Sequence, residues 1–197
     1  MIWTLKTGPT IEPVTPSELR EHLRLEKGDT TDEQYLKTLI QLSRVHGEHV
    51  TRRAWITQTW TIYRNSFPKK NYIQLPFGSL QTVNSFSYRN SSGDTTTLTE
   101  DTDYVVDTDS EPGMVVLAYG KTWPSFTPFP VNPIAIEITC GYGDSGEDVP
   151  QTLRTWMKAV CGEIYENREL TLSEGTPKTI KVYESILLDH KVNGVYE

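Results

Sequence analysis

Cysteine is scarce in this chain. Cys140 and Cys161 are its only two. Two thiols cannot form the disulfide framework of a small secreted scaffold, and their spacing fits no zinc motif. Both are read as free thiols, as suits a reducing compartment. Long apolar runs are missing too: nothing approaches the roughly 18 residues of a membrane helix. The opening Met1-Ile2-Trp3-Thr4-Leu5-Lys6 has no basic stretch followed by an apolar one, so no signal peptide is expected. Basic charge is in deficit, with 19 Lys and Arg against 26 Asp and Glu, a formal charge of −7. That argues against a nucleic-acid reader, which needs a basic face to displace counterions from phosphates. It leaves room for a surface that DNA only slides past. There is no P-loop, and no cofactor is assigned. No internal repeat or low-complexity segment is visible.

What remains is an ordinary core-forming composition. Of 197 residues 36% are hydrophobic, with ten Tyr and five Trp. A chain of this length buries roughly 70% of the surface it exposes when unfolded. Thr15-Pro16-Ser17-Glu18 has the form of a capping box with proline at the first helical position. Leu19 and Leu23 then lie on one face of a helix that stops before Gly28. Thr31-Asp32-Glu33-Gln34 repeats the signature. The stripe Leu36, Leu39, Ile40, Ser43 and Val50 predicts a long amphipathic helix over 32–53. Helical spacing returns with Leu153, Trp156, Met157, Val160 and Ile164 over 150–168. After a polar loop at 170–177, Ile180, Tyr183, Ile186 and Leu187 predict a shorter helix to Lys191.

Between the helices, from Trp55 to Tyr142, the chain is rich in Thr, Tyr, Val and Ile, with turn residues between short runs. Strands are expected at Thr57–Tyr63, Tyr72–Leu75, Val83–Arg89, Thr95–Leu98, Tyr104–Asp107 and Met114–Ala118. Ile134, Ile136 and Ile138 alternate with polar or small residues, which marks one buried strand face. Asn90–Asp94 reads as a hairpin loop, Pro112-Gly113 as a turn, and Trp123–Pro133, with four prolines, as an irregular loop. The expected fold class is α+β: a four-helix bundle of two N-terminal and two C-terminal helices with an inserted, mainly antiparallel β-subdomain. The expected boundaries are 1–54 and 144–197 for the two helical parts and 55–143 for the insertion. The expected bundle core is Leu19, Leu23, Leu36, Leu39, Ile40, Val50, Leu153, Trp156, Met157, Val160, Ile164 and Ile186.

Four constellations could carry chemistry. Gly143-Asp144-Ser145-Gly146 resembles the nucleophile loop of chymotrypsin-like proteases. However, Glu147-Asp148 follows it, and the four His residues, at 22, 46, 49 and 190, all fall in predicted helices. The plain reading is a polar turn. His46-Gly47-Glu48-His49 spaces its imidazoles by three residues, not the four of a zincin helix, so a polar helix face is expected and no metal site. Asp101, Asp103, Asp107, Asp109 and Glu111 lack EF-hand spacing; as paired carboxylates they leave a glycosidase open, but solvated turn acids are expected. Lys69-Lys70 and Arg52-Arg53 are too short for a nucleic-acid patch. Trp55, Trp60, Tyr63, Phe67, Tyr72 and Phe77 read as strand packing, with a subunit interface as the alternative. No catalytic, cofactor-binding or metal-ligating residue is assigned, and the chain is expected not to be an enzyme. A hydrolase using Asp144, Ser145 or the acidic cluster, and a carbohydrate-binding tail accessory, stand as alternatives.

The order of segments resembles the head–tail connector (adaptor) proteins of long-tailed bacteriophages and gene transfer agents. Val14 to Leu25 is similar to that family's opening helix, and Asp32 to Arg53 to its second. Trp60, Ile73-Gln74-Leu75-Pro76 and Leu80-Gln81-Thr82-Val83 resemble the start of its β-insertion. Gly141-Tyr142-Gly143 with Val149 to Arg154 resembles the exit into the third helix, Tyr165 to Glu169 the end of that helix, and Ser185 to Leu188 the last. The likeness spans about 13–190, and Asp189-His190-Lys191 departs from the more basic ending expected. It implies a ring of about twelve copies below a portal protein. Such a ring extends the DNA channel, offers a docking face to a tail-completion or stopper protein, and contacts DNA without reading its sequence. It implies location in the virion neck, with the host cytoplasm as the site of assembly. It also implies that Leu187–Glu197 clasps the portal, through Leu187, Leu188, Lys191, Val192, Val195 and Tyr196.

Overall fold

A computed structural model describes residues 1–26, 28, 30–167 and 185–194. These residues form an α+β protein with antiparallel sheets and, among the described residues, four α-helices. Its described residues divide into two compact units. One takes Met1–Pro9, Thr57–Gly141 and the segment from Val192; the other takes Thr10–Ile56 and Tyr142–Lys191.

The second unit is helical. Helix α1 (Pro16–His22) starts at a capping box. Glu18 N donates to Thr15 Oγ1 at 3.2 Å, and Thr15 N donates to Glu18 Oε2 at 2.8 Å. Helix α2 (Glu33–Thr51) has Asp32 at its N-cap but no side-chain cap there, unlike the second capping box read from the sequence. The Asp32 carboxylate instead accepts the Tyr165 hydroxyl at 2.5 Å. Left-handed Arg52 ends α2. Helix α3 runs Gln151–Asn167, and residues 185–189 form α4. The predicted start of that last helix, at 180–184, lies outside the described residues, as does the loop at 170–177.

These helices share one core. Leu19, Leu36, Leu39, Ile40, Leu153, Trp156 and Met157 are buried in it with Val14, Trp55, Ile56, Val149, Cys161 and Leu187. Leu23, Val50, Val160, Ile164 and Ile186 pack half-buried around it. Trp55 is central. Its indole N–H donates to Thr51 Oγ1 at 3.2 Å, its backbone N–H to Glu48 Oε1 at 2.8 Å, and its ring meets Trp156 edge-on at 6.0 Å. Gly47 makes room for it, since a Cβ there would overlap the Trp55 ring.

The other unit is built of strands. A five-stranded antiparallel sheet has the order β1 (Ile2–Thr7), β2 (Gln58–Arg64), β8 (Ile134–Cys140), β4 (Leu80–Arg89), β5 (Thr95–Leu98). A three-stranded one has the order β3 (Tyr72–Gln74), β7 (Met114–Leu117), β6 (Tyr104–Asp107). Ile134, Ile136 and Ile138 are fully buried, as their alternation requires. Strand β1 was not expected: residues 1–54 were read as helical, yet Ile2 to Thr7 pair with Tyr63 to Thr59. Strand β4 begins at Leu80, three residues before the expected start. Its pairing with β8 shifts register twice, so Leu80, Val83 and Phe86 are buried at spacings of three.

Candidate functional site

The Gly143–Gly146 turn is a helix entry. Ser145 caps the 3₁₀ turn Gly146–Asp148; its Oγ accepts Glu147 N–H at 3.2 Å, and Asp148 Oδ2 accepts Ser145 N–H at 2.9 Å. The glycines answer to packing. A Cβ on Gly143 would overlap the Asp148 carboxylate, and one on Gly146 would stand 2.8 Å from the Pro13 carbonyl. The hydroxyl that made the motif tempting is therefore engaged in holding a backbone turn.

His46 and His190 are engaged in local contacts, while His22 and His49 are exposed. His46 stacks on Trp156 with centroids 6.1 Å apart, and His190 Nε2 is hydrogen-bonded to Thr152 Oγ1 at 2.8 Å. Among the described residues no cluster of three or more His, Cys, Asp or Glu could hold a metal ion.

The acidic cluster forms turns. Asp103 accepts Thr99 N–H at 2.9 Å and Lys121 Nζ at 3.2 Å; the backbone donor first, then the ammonium, holds its carboxyl below the usual range. Asp107 accepts the Ser110 hydroxyl at 2.6 Å and the Ser110 and Asp109 amides at 3.0 Å, which lowers it likewise. Asp103 and Asp107 are thus held ionised in their turns, unlike a general acid, which needs a raised pKa.

Charge is also used to fasten the helical unit. Arg44 is buried on α2 between Glu12 Oε2 and Glu48 Oε2, each 2.7 Å away. Burial works against its charge, but the two carboxylates more than offset that and raise its pKa. Arg154 bridges Glu18 at 2.5 Å and the Pro13 carbonyl at 3.1 Å. Desolvation pushes Glu18 upward, yet the Thr15 hydrogen bonds and then Arg154 and Lys158 hold it below its usual value. Cys161 lies buried 3.2 Å from Ser43 Oγ, its thiol pushed up to about 11 by desolvation. Cys140 is buried as well, and neither cysteine is in a disulfide.

The aromatic rings largely face each other. Trp60 stacks on Phe77 at 4.2 Å, and Phe67 stacks on Trp123 at 5.0 Å. Trp55 belongs to the helical core and not, as its neighbours suggested, to strand packing.

The predicted portal-contact residues separate. Leu187 and Val192 are buried, at 1% and 2% exposure, while Leu188 is 58% exposed and Lys191 is half-buried. Val195 and Tyr196 lie outside the described residues. The segment is tied down at His190, whose carbonyl accepts Arg53 Nε at 3.2 Å.

One surface escaped the sequence reading. Leu42 and Val45 on α2 are about half exposed, on the side away from Leu39 and Ile40. The core stripe drew attention to the opposite face. The signal available was two apolar residues three apart and out of phase with that stripe.

No protein-family model matches the sequence, and no curated protein does. Solved structures do match its fold. The chain superposes on one in the neck of an empty gene transfer agent particle, computed with C6 symmetry, at TM-score 0.81 and 18% identity. The match covers 99% of this chain and 97% of that one. A chain in the virion of a native gene transfer agent particle gives TM-score 0.77 at 19% identity. One in the neck of the native particle, computed with C12 symmetry, gives 0.76 at 19% identity. Both cover 99% of this chain and 97% of the other. The fold is shared end to end.

Proposed function

We propose that this chain is a structural, non-enzymatic head–tail connector subunit of a phage-like particle neck. In this reading the copies form a ring of about twelve below the portal, extend the DNA channel and offer a docking face to a tail-completion protein. The two N-terminal and two C-terminal helices would form one bundle, with the β-rich segment as its insertion. The partners are the portal, other copies of this chain and a stopper protein; DNA passes without being read. The place of action is the virion neck, reached from the host cytoplasm during assembly.

The observation that carries the reading is full-length agreement in fold with chains from the necks of gene transfer agent particles, in structures computed with six-fold and twelve-fold symmetry. Twelve identical copies suit a cyclic, head-to-tail arrangement, and many weak contacts then sum. The formal charge of −7 fits a channel wall that repels phosphate. The conventional site candidates support a scaffold as well, because Ser145, Asp103 and Asp107 each hold local backbone geometry.

Electron microscopy of intact particles tests this directly. Density for this chain as a ring between portal and tail is the expected result. A complete neck that lacks the chain would refute it.

A further inference from the structure

We propose that the outward face of α2 is a contact surface for a second copy of this chain. The inference rests on the connector reading and goes further by naming the surface that joins neighbours. No exposed residue of α2 from Thr38 to His49 is Asp, Glu, Lys or Arg: they are Thr38, Gln41, Leu42, Val45, His46 and His49. In a chain where 23% of residues are Asp, Glu, Lys or Arg, a helix exposing six consecutive outward positions without one of them departs from the usual solvated face. At its centre Leu42 and Val45 are 54% and 51% exposed. The charges that α2 does carry at its middle point elsewhere: Arg44 is buried between Glu12 and Glu48.

Charge selects the occupant. Each copy carries −7, so two copies brought together through ordinary surface repel each other. A face with no charge avoids like-charge juxtaposition and desolvates cheaply. Nucleic acid would find no Lys or Arg on this strip to neutralise its phosphates, and a polycation would find no carboxylate. The strip is about 18 Å long, from twelve residues at the helical rise. It is too small by itself to supply the roughly 800 Å² per partner of a stable standalone interface. Pairwise contact is therefore weak and gains strength when a ring closes. Ring closure also requires the strip to meet a different surface of the neighbour, since strip against strip would close a two-fold dimer.

The test places the photo-cross-linking residue p-benzoylphenylalanine at Val45. It is run in the full chain, both concentrated in solution and in assembled particles, and the products are mapped by mass spectrometry. Expected are adducts between copies, from Val45 to a peptide outside α2, forming a ladder beyond the dimer. Leu42→Asp should reduce their yield at least ten-fold while leaving the melting temperature of the free chain within a few degrees; Leu42→Ser serves the same purpose if the charge disturbs folding. Absence of any adduct between copies, adducts confined to α2 itself, or adducts only to a different protein would each overturn the inference. If the chain sits in the neck while Val45 captures no second copy, the connector reading stands and this inference falls.

Discussion

Replacing Gly47 with alanine should destabilise the helical unit, even though alanine is the better helix former. In the middle of an exposed helix the exchange would gain about 1 kcal/mol. Here a Cβ would overlap the Trp55 ring, and that ring has no room to retreat. It is fully buried, with its backbone N–H bonded to Glu48, its indole N–H to Thr51 and its face closed by the edge contact to Trp156. Overpacking a filled core typically costs about 1–3 kcal/mol, and a pinned partner puts this site at the upper end. The expected net is a loss of about 1–2 kcal/mol, which lowers Tm by about 2–8 °C for a chain of this size. Gly162 supplies the internal control. It also lies inside a helix, but a Cβ there would meet only the terminal Leu23 Cδ2 at 3.4 Å. Gly162→Ala should therefore raise stability by about 0.5–1 kcal/mol. Trp55→Phe removes the overlapping atoms, so Gly47→Ala should cost less in that background, with a coupling of at least about 0.5 kcal/mol. Thermal melts followed by circular dichroism, supported by urea titrations, measure all of these. A Gly47→Ala protein as stable as the parent would refute the packing argument, as would equal effects at Gly47 and Gly162.

Three further expectations follow from the polar contacts. Arg44→Ala leaves Glu12 and Glu48 facing each other without their cation; a loss of about 3 kcal/mol is expected in urea unfolding, and a loss under about 1 kcal/mol would show the bridge to be ornamental. Glu18, Glu33, Asp103 and Asp107 all have folded pKa values below their ordinary ones, so the unfolded chain binds more protons as the medium is acidified. Stability from these groups is present above the ordinary carboxylate range and is lost as pH falls through their lowered values, from about pH 5 downward. Melts between pH 7 and 3 should show that slope, and Glu18→Gln should flatten it. With its thiol pushed up to about 11 and buried, Cys161 should resist thiol reagents at pH 8 until the chain unfolds; prompt labelling of the native protein would contradict its placement.

The helical half was legible because its signals are local. A capping box, a proline at the first turn and stripes spaced three and four apart need no distant partner to be read. They placed both ends of α2 and α3 within one or two residues and the start of α1 at Pro16, whereas α1 ends at His22, well short of the Gly28 stop expected. The strand β1 was missed because its meaning is non-local. Ile2 to Thr7 become a strand by pairing with residues more than fifty positions away, and no turn signal joins the two. Strand β4 was clipped because two bulges move its buried residues from every second to every third position, which disguises Leu80. Trp55 was placed with the strand aromatics by proximity in sequence, whereas the left-handed turn at Arg52 returns the chain to the helical core. Where Thr31 promised a cap, Tyr165 takes the Asp32 carboxylate, a contact 133 residues apart that no local motif encodes. The candidate surface on α2 was hidden by the strength of the opposite stripe.

Burial also constrains how the C-terminal segment could serve a portal. Leu187 is fixed in the helical core, so presenting it to a partner means first withdrawing it, at about 1.5–3 kcal/mol for the side chain alone. Detaching the segment would also break the Arg53 bond to the His190 carbonyl and the Thr152 contact with its ring, each worth about 1 kcal/mol. Leu188 needs no such release, because most of it already faces outward. In a connector that docks with this segment in place, Leu188→Asp should leave the melting temperature of the free chain within about 2 °C and yet reduce its incorporation into necks. Leu187→Asp should instead lower the melting temperature before any question of docking arises, because it puts a charge into the core. Equal melting temperatures for the two variants would mean that Leu187 is not held where the structure places it. Normal incorporation of Leu188→Asp, with the chain seen in the neck, would mean that the portal grips another surface.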